Sequence, residues 1–235
     1  MKVLGIIIAR GGTKELPNKN LMKIGGLSLI ERSILSAQKS KLLSRIILST
    51  DSSKIIKIAK KTKVEIPFVR PNKYSRDTSS VYSVMKHAIN WLDKKEKYMP
   101  DIVVLLQCSA PFRTADHIDN VIKKLIKTKA DSVLTITKPD YPPYWSFNKD
   151  KRDKITKLIK AKDYFRRQDI PKTFQPAGSV YAYKTKFLLK LNGMLPKGDT
   201  RGVEISREEA VNIDTLLQYD LAKFLWKKNE KKKIK

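Results

Sequence analysis

Short apolar runs alternate along this chain with segments whose apolar residues follow helical spacing. The runs at 3–9 and 101–107 carry no polar alternation, as is typical of strands that are covered on both faces. One intervening segment places its apolar residues on a single helical stripe: Val81, Val84, Met85, Ala88, Ile89 and Leu92. This rhythm predicts an α/β fold, with a mostly parallel, Rossmann-like sheet and helices on both of its faces.

Seven strands and several capped helices are predicted in this way. A capping box at Ser28 and Glu31 begins one helix, and Thr215 with Gln218 begins the last. The predicted strands are residues 3–9, 45–50, 64–69, 101–107, 132–137, 179–183 and 210–214. Ligands bind parallel sheets at the carboxyl ends of the strands, so the loops that follow strands 3–9 and 101–107 are expected to share a cleft.

The chain is predicted to form a single domain, 1–235, with two departures from the sheet. Residues 140–175 are charged and poor in apolar side chains, which indicates an arm that leaves the body of the protein. Residues 227–235 are dominated by lysine, without interleaved aromatics, and are expected to be a disordered basic tail.

Composition narrows the class of protein. The formal charge of +27 comes from lysines spread over nearly every predicted helix, so we expect no nucleic-acid partner, although a binder using this charge is the competing interpretation. No apolar run is long enough to cross a bilayer, and none is expected to contact a membrane. A single cysteine excludes an internal disulfide and favours the cytoplasm.

The loop after the first predicted strand carries the clearest chemical signal. Gly11 and Gly12 can turn backbone amides inward as an anion nest. Three cations accompany them and could surround a triphosphate: Arg10, Lys14 and Lys19. Asn20 could bond a ribose hydroxyl or a base. The loop has neither the Walker spacing nor Gly-x-Gly-x-x-Gly, but phosphate binding is favoured over a solvated basic turn.

Other polar residues near predicted strand ends leave alternatives open. Asp214 could hold Mg²⁺ with Asn212 on the same strand face, or could merely cap the last helix. Gln107 and Ser109 could meet substrate hydroxyls or reflect turn chemistry. In the arm, the segment Arg166-Arg167-Gln168 could grip a carboxylate or could be surface charge.

The loop sequence ARGGTKELPNKN (residues 9–20) resembles the motif ARGGSKGLPxKN of the acylneuraminate cytidylyltransferases, also called CMP-sialic acid synthetases. That family includes the CMP-legionaminate and CMP-pseudaminate synthetases. Further segments align in order: LQCSAPFR (106–113) resembles LQPTSPLR, and NIDT (212–215) resembles DIDT. RRQDIP (166–171) and AGSVY (177–181) resemble RRQDLP and NGAIY.

The resemblance implies a nucleotide-diphospho-sugar transferase fold and transfer of CMP from CTP to the anomeric hydroxyl of a nonulosonic 2-keto sugar acid, with Mg²⁺. It implies a homodimer whose arm reaches the partner's site. The residues it assigns to CTP are Arg10, Gly11, Gly12, Thr13, Lys14, Lys19, Asn20, Arg70 and Thr78. Those assigned to the sugar are Gln107, Ser109, Arg166, Arg167, Gln168 and Tyr181. Arg10, Lys19 and Asp214 are the expected catalytic residues, and Asp214 with Asn212 the expected metal ligands.

Four positions depart from the motifs. Thr13 replaces a serine, Glu15 a glycine, Ala177 an asparagine and Asn212 an aspartate. The loss of a carboxylate at 212 leaves a catalytically impaired relative as one alternative. A 3-deoxy-manno-octulosonate cytidylyltransferase is another, ranked lower because the opening motif of those enzymes differs.

Overall fold

The computed structural model describes residues 1–12, 15–193 and 195–233, and the side chains through 231. Its strands are β1 (Val3–Ile8), β2 (Lys23–Ile24), β3 (Leu27–Ser28), β4 (Arg45–Ser49), β5 (Ile102–Gln107), β6 (Ser132–Thr137), β7 (Phe147–Lys149), β8 (Ile155–Lys157), β9 (Gln175–Lys184) and β10 (Thr200–Glu204). Its α-helices are α1 (Leu29–Gln38), α2 (Ser53–Lys60), α3 (Val81–Glu96), α4 (Ala115–Thr128), α5 (Thr185–Lys190) and α6 (Leu216–Lys233).

The central sheet has six strands in the order β10-β6-β9-β5-β1-β4. The pairs β1/β4, β1/β5 and β10/β6 are parallel, whereas β9 runs antiparallel between β5 and β6. The predicted α/β class with a mostly parallel sheet is therefore confirmed. Because β9 runs the other way, its amino end lies at the same edge as the carboxyl ends of the other five strands.

The sheet separates two apolar clusters. Successive side chains of β1 and β5 point to opposite faces of the sheet, so alternate residues belong to different clusters. Val3 and Ile7 of β1 pack on the side of α1, α2 and α4, while Leu4 and Ile6 pack on the side of α3 and α5. The same alternation sends Val104 of β5 to the first cluster. Coverage on both faces explains why these strands carry no polar alternation.

The predicted helix caps are present. Ser28 accepts a hydrogen bond from the amide of Glu31, and the Glu31 carboxylate accepts one from the Ser28 amide. The Gln218 side chain accepts hydrogen bonds from the amides of Asp214 and Thr215 at the start of α6. Within the described residues, no helix combines the length and the apolar character needed to cross a membrane.

The predicted excursion contains a hairpin, β7 with β8, and a short 3₁₀ turn at Arg167–Asp169. Both strands are exposed along their whole length. Large apolar side chains are also exposed here, including Phe165 at 91% and Tyr141 at 82%. The segment leaves the body between β6 and β9 and returns at the edge where the strands' carboxyl ends meet.

Two predicted strands are wrong. Residues 64–69 form only isolated bridges, from Glu65 to Ile47 and from Val69 to Thr50, because Pro67 lacks the amide a ladder needs. Residues 210–214 form no strand. The strand that completes the sheet is β10, an edge strand that the sequence analysis missed because Thr-Arg-Gly-Val-Glu has neither an apolar run nor a clear alternation.

Helix α6 continues to Lys233 and so includes residues 227–233 of the segment for which a disordered basic tail is predicted. Lysine and glutamate are good helix formers, and Lys228 forms an ion pair with Glu208 at 2.9 Å. Helix α6 is also anchored earlier: Trp226 lies under the Arg32 guanidinium at 3.8 Å, and the Tyr219 hydroxyl donates to the Lys23 carbonyl at 2.9 Å.

The packing of α6 against the turn between β2 and β3 can be tested at two adjacent glycines of that turn. Gly25 and Gly26 both have positive φ, but a Cβ on Gly25 would overlap the Trp226 ring, whereas one on Gly26 would meet nothing within 4 Å. We expect Gly26→Ala to cost about 1 kcal/mol of unfolding free energy from backbone strain and Gly25→Ala about 3 kcal/mol, because overpacking adds to the strain. Urea denaturation measures both, and equal losses would contradict the observed position of Trp226.

Candidate functional site

A cleft of about 310 Å³ opens at the edge of the sheet where β1, β4 and β5 end. Its walls come from the loops that follow β1 and β5, from the segment before α3 and from the loop before α6. Four basic and two acidic side chains line it: Arg10, Lys19, Arg70, Arg76, Asp77 and Asp214. Asn20, Gln107 and Ser109 line it as well. The structure therefore brings seven of the predicted site residues into one cavity.

Two predicted catalytic cations are held by carboxylates in this cleft. The Lys19 ammonium lies 2.8 Å from Asp214 Oδ1, with Lys19 14% exposed and Asp214 55% exposed. Arg10 Nη1 lies 2.5 Å from Asp77 Oδ1, and both of these side chains are half-exposed. The ion pairs keep both cations at the cleft surface, where a more highly charged anion can compete for them.

Arg70, by contrast, is a buried residue that organises the floor of the cleft. Its Nη2 donates to Asp51 Oδ1 at 3.1 Å and to the Ala9 carbonyl at 3.3 Å, and its Nε donates to Ser75 Oγ at 3.1 Å. Burial lowers the pKa of Arg70, and the hydrogen bond to Asp51 opposes that shift. These contacts fix Arg70 between the ends of β1 and β4.

The opening loop is only partly the nest that the sequence predicts. The Gly11 amide donates to Asp51 Oδ1 at 3.1 Å, so in this structure it serves the Arg70 contact. Gly12 is exposed, and the predictions for Thr13 and Lys14 lie outside the described residues. Asn20 is buried, and its side-chain amide donates to the Arg10 carbonyl at 3.0 Å, which fixes the backbone next to the Arg10 side chain.

The end of β5 and the loop that follows it bring Gln107 and Ser109 into the lining of the cleft. Arg113 supports this loop from behind: it is buried, and its Nη1 donates to the carbonyls of Gln107 at 2.6 Å and Ser179 at 3.2 Å. Burial lowers the pKa of Arg113 to about 10. The side chain of Gln107 remains part of the lining, while the Ser109 hydroxyl donates to Asn212 Oδ1 at 3.2 Å.

Several predicted site residues are not brought into the cleft of this chain. Thr78 is exposed between Asp77 and Ser79, which do line it. Tyr181 lies opposite Leu105 in the sheet and packs into the core, where burial raises the pKa of its hydroxyl. The remaining three residues lie exposed in the arm: Arg166, Arg167 and Gln168.

Asn212, predicted as a metal ligand, does not line the cleft, and its side-chain amide is fully engaged with Ser109, Ala177 and Ala210. Over the described residues, no group of three histidine, cysteine or acidic side chains is arranged to hold a metal. Two exposed carboxylates, Asp77 and Asp214, face the cleft. This fits Mg²⁺, which commonly binds proteins through one or two carboxylates and takes its other ligands from substrate phosphates and water.

The sequence analysis missed two supporting residues. Asp51 bonds both Arg70 and the Gly11 amide, and Tyr74 lines the cleft beside Arg76. Asp51 follows directly on a strand, so the signal that singled out Gln107 and Ser109 was present there too. The N-cap of α2 is the next residue, Ser52, so the Asp51 carboxylate is left for the cleft.

A larger cleft, of about 970 Å³, lies between α1 and α6. Trp226, Arg32 and the chain around Glu208 line it. None of the predicted site residues lines it, and its walls come instead from α1, α6 and the segments 111–115 and 206–209. We therefore take the smaller cleft as the functional site.

Comparison with known proteins identifies the family and agrees with the fold. The family model for cytidylyltransferases matches residues 4–223. The chain belongs to the cytidylyltransferase family. The predicted membership is thereby confirmed, and the protein is a nucleotidyltransferase by class.

Curated relatives match along almost the whole of this cytidylyltransferase. A flagellin modification protein B of Campylobacter coli is 32% identical, with 96% of this chain and 95% of the relative covered. A pseudaminic acid cytidylyltransferase of Campylobacter jejuni is 30% identical, with 97% and 98% covered. A CMP-N,N'-diacetyllegionaminic acid synthase of Campylobacter jejuni is also 30% identical, with 95% and 94% covered.

Solved structures of more distant proteins share the fold. A CMP:2-keto-3-deoxy-manno-octonic acid synthetase complexed with CTP superposes with a TM-score of 0.73, at 16% identity, covering 97% of this cytidylyltransferase and all of that chain. A 4-diphosphocytidyl-2C-methyl-D-erythritol synthase from Anaerococcus prevotii gives 0.64 at 14% identity, covering 96% and 98%. Both structures are consistent with the predicted nucleotidyltransferase fold.

Proposed function

We propose that this protein transfers CMP from CTP to the anomeric hydroxyl of a nonulosonic, sialic-type 2-keto sugar acid and releases pyrophosphate. Family membership supports the use of CTP. The relatives named for pseudaminic and legionaminic acid support the class of sugar, and their nearly equal identities favour neither one. The observation that carries the proposal is the convergence of Arg10, Lys19 and Asp214 at one end of the sheet.

The reaction needs neutralisation of charge more than covalent chemistry from the protein. The sugar hydroxyl attacks the α-phosphate of CTP in line, a new C–O–P link forms, the bond to the β-phosphate breaks, and the hydroxyl proton is lost. Arg10 and Lys19 exchange Asp77 and Asp214 for phosphate oxygens and hold the departing pyrophosphate. Gly11, Gly12, Thr13 and Lys14 are assigned to the triphosphate. Asn20 holds the backbone at Arg10 through its hydrogen bond to the Arg10 carbonyl.

We assign the metal contact to Asp214. Bound Mg²⁺ would supply positive charge to the triphosphate oxygens. With Lys19 drawn to the CTP phosphates, the Asp214 carboxylate would be free to hold the metal and to accept the proton of the sugar hydroxyl through water. Gln107 and Ser109, which also line the cleft, are assigned to the sugar acid. Arg70 and Thr78 are assigned to the nucleotide side, Arg70 through the floor it forms beneath that end of the cleft.

The arm is proposed to act in a homodimer. Its arginines do not line the cleft of their own chain, and its large apolar side chains are exposed in a single copy. Helix α6 adds a second exposed apolar stripe that begins three residues after Asp214: Leu217, Leu221 and Phe224. Surface of this kind is typical of an interface. In the dimer, Arg166, Arg167 and Gln168 would meet the carboxylate of a sugar bound in the partner's cleft.

The remaining parts of the proposal are a cytoplasmic location and small-molecule substrates, with no nucleic acid or membrane partner. The single buried cysteine favours a reducing compartment. A 3-deoxy-manno-octulosonate substrate is less well supported, because the synthetase of that type is 16% identical and shows likeness of fold alone.

Pyrophosphate release tests the proposed function. The purified protein is given CTP and Mg²⁺ with N-acetylneuraminate, a legionaminate, a pseudaminate or 3-deoxy-manno-octulosonate in parallel. We expect turnover with one of the three nonulosonic acids, and none in the Asp214→Asn variant. Release with 3-deoxy-manno-octulosonate alone would overturn the assigned sugar class. Absence of release with every sugar, alongside intact CTP binding, would favour the impaired relative.

Mixed dimers test whether the arm acts on the partner. Asp214→Asn inactivates the cleft of its own chain, and Arg166→Ala/Arg167→Ala disables the arm. If arms cross, a mixed dimer has one site with an intact cleft and an intact arm, so co-refolding the two inactive proteins should recover about a quarter of wild-type activity.

The control is Lys151→Ala/Arg152→Ala, which removes the same charge from the turn of the arm's hairpin and should leave activity unchanged. No recovery in the mixture, or a monomer by sedimentation, would show that arms do not cross.

A further inference from the structure

Asn212 joins three segments of chain directly behind the cleft. Its Oδ1 accepts from the Ser109 hydroxyl at 3.2 Å. Its Nδ2 donates to the carbonyls of Ala177 at 2.6 Å and Ala210 at 3.1 Å. These bonds link the loop after β5, the amino end of β9 and the loop before α6, and they use both amide hydrogens and the amide oxygen.

The contact to Ala177 lies where β9 departs from regular pairing. The register between β6 and β9 shifts between Leu134 and Ile136, so the backbone near Ala177 lacks its regular ladder partners on that side. Gly178 follows, with φ +64°, and a Cβ there would come within 2.6 Å of Asn212 Nδ2. Because Gly178 has no side chain, the Asn212 amide can approach the backbone here. It donates to the Ala177 carbonyl, which has no partner in the irregular β6/β9 ladder.

Ser109 is held twice by this segment. Besides its hydroxyl bond to Asn212, its carbonyl accepts from the Ile213 amide at 2.8 Å. Ile213 is fully buried between Asn212 and Asp214. The two bonds therefore fix the wall that carries Ser109 relative to the loop that carries Asp214, so the two sides of the cleft form one unit.

We infer that Asn212 is a positioning residue for the sugar side of the cleft and not a metal ligand. The expected effect on the KM for the sugar rests on the proposed function. Two carbonyl oxygens face the Asn212 side chain at bonding distance and require donors. An ionised aspartate offers acceptors alone, so it would replace two hydrogen bonds with two repulsive contacts. The chain's departure from the DIDT motif at this position then follows from local hydrogen bonding.

The test compares Asn212→Asp with Asn212→Ala, and uses Asn120→Asp on the exposed surface of α4 as the matched control. The first measurement is thermal unfolding in EDTA, without substrates. We expect the midpoint to fall by about 3 °C for Asn212→Ala and about 6 °C for Asn212→Asp, and to stay unchanged in the control. A metal-ligand role predicts the reverse order in Mg²⁺, with Asn212→Asp at least as stable as wild type.

The second measurement is the Mg²⁺ concentration that gives half-maximal CTP binding. If Asn212 only positions the cleft, this Mg²⁺ concentration should change by no more than about twofold in either variant. If residue 212 binds the metal, Asn212→Asp should lower the Mg²⁺ concentration by about tenfold. These two measurements need no sugar. They therefore decide the role of Asn212 even if none of the proposed sugars turns over.

The third measurement separates positioning from general stability. With a sugar that turns over, Asn212→Ala should raise the KM for the sugar by about tenfold and leave the KM for CTP within about twofold. Ser109→Ala removes the same hydrogen bond from its other end, so the double variant should be no worse than the poorer single variant. Additive effects, or equal losses for both substrates, would overturn the inference.

Discussion

Strands β1 and β5 lie side by side with both faces covered, and this constraint decides where chemistry can occur. Except for Gln107 at the end of β5, their side chains belong to one apolar cluster or the other. The first positions open to polar function are therefore at or just beyond the carboxyl ends, where Gln107 and Arg10 stand. The other site residues come from segments that return to that same edge, which is why the cleft draws on widely separated parts of the sequence.

Charge in the cleft is arranged in two layers. Beneath it, Arg70 with Asp51 and Arg113 with backbone carbonyls are buried and hydrogen-bonded, and they fix the loops after three neighbouring strands. At the surface, the pairs of Arg10 with Asp77 and of Lys19 with Asp214 are accessible and exchangeable. A buried charge is costly to move, whereas a surface pair is weak. The lower layer therefore suits a structural role, and the upper layer suits binding of an anion.

Local signals predicted the elements that depend on local sequence. The capping boxes at Ser28 and Thr215 and the covered strands were placed within a residue or two, because caps and apolar runs are properties of short segments. Strand β10 was missed, since its pairing with β6 comes from the tertiary fold and leaves no periodicity in Thr-Arg-Gly-Val-Glu. The cleft's cations were predicted from their position after a strand. Their carboxylate partners lie 67 and 195 residues away, beyond any spacing rule.

The proposed function depends on the binding of the CTP triphosphate by the surface cations of this cleft. Calorimetric titration of CTP with Mg²⁺ into Lys19→Ala, with Lys60→Ala as an exposed control of equal charge, tests it most directly. Loss of a charge-assisted contact predicts that Lys19→Ala weakens CTP binding by about 10- to 100-fold and that Lys60→Ala changes it by less than about twofold. Equal weakening in both variants would show that CTP responds to the overall charge of +27 rather than to this cleft, and would contradict the account.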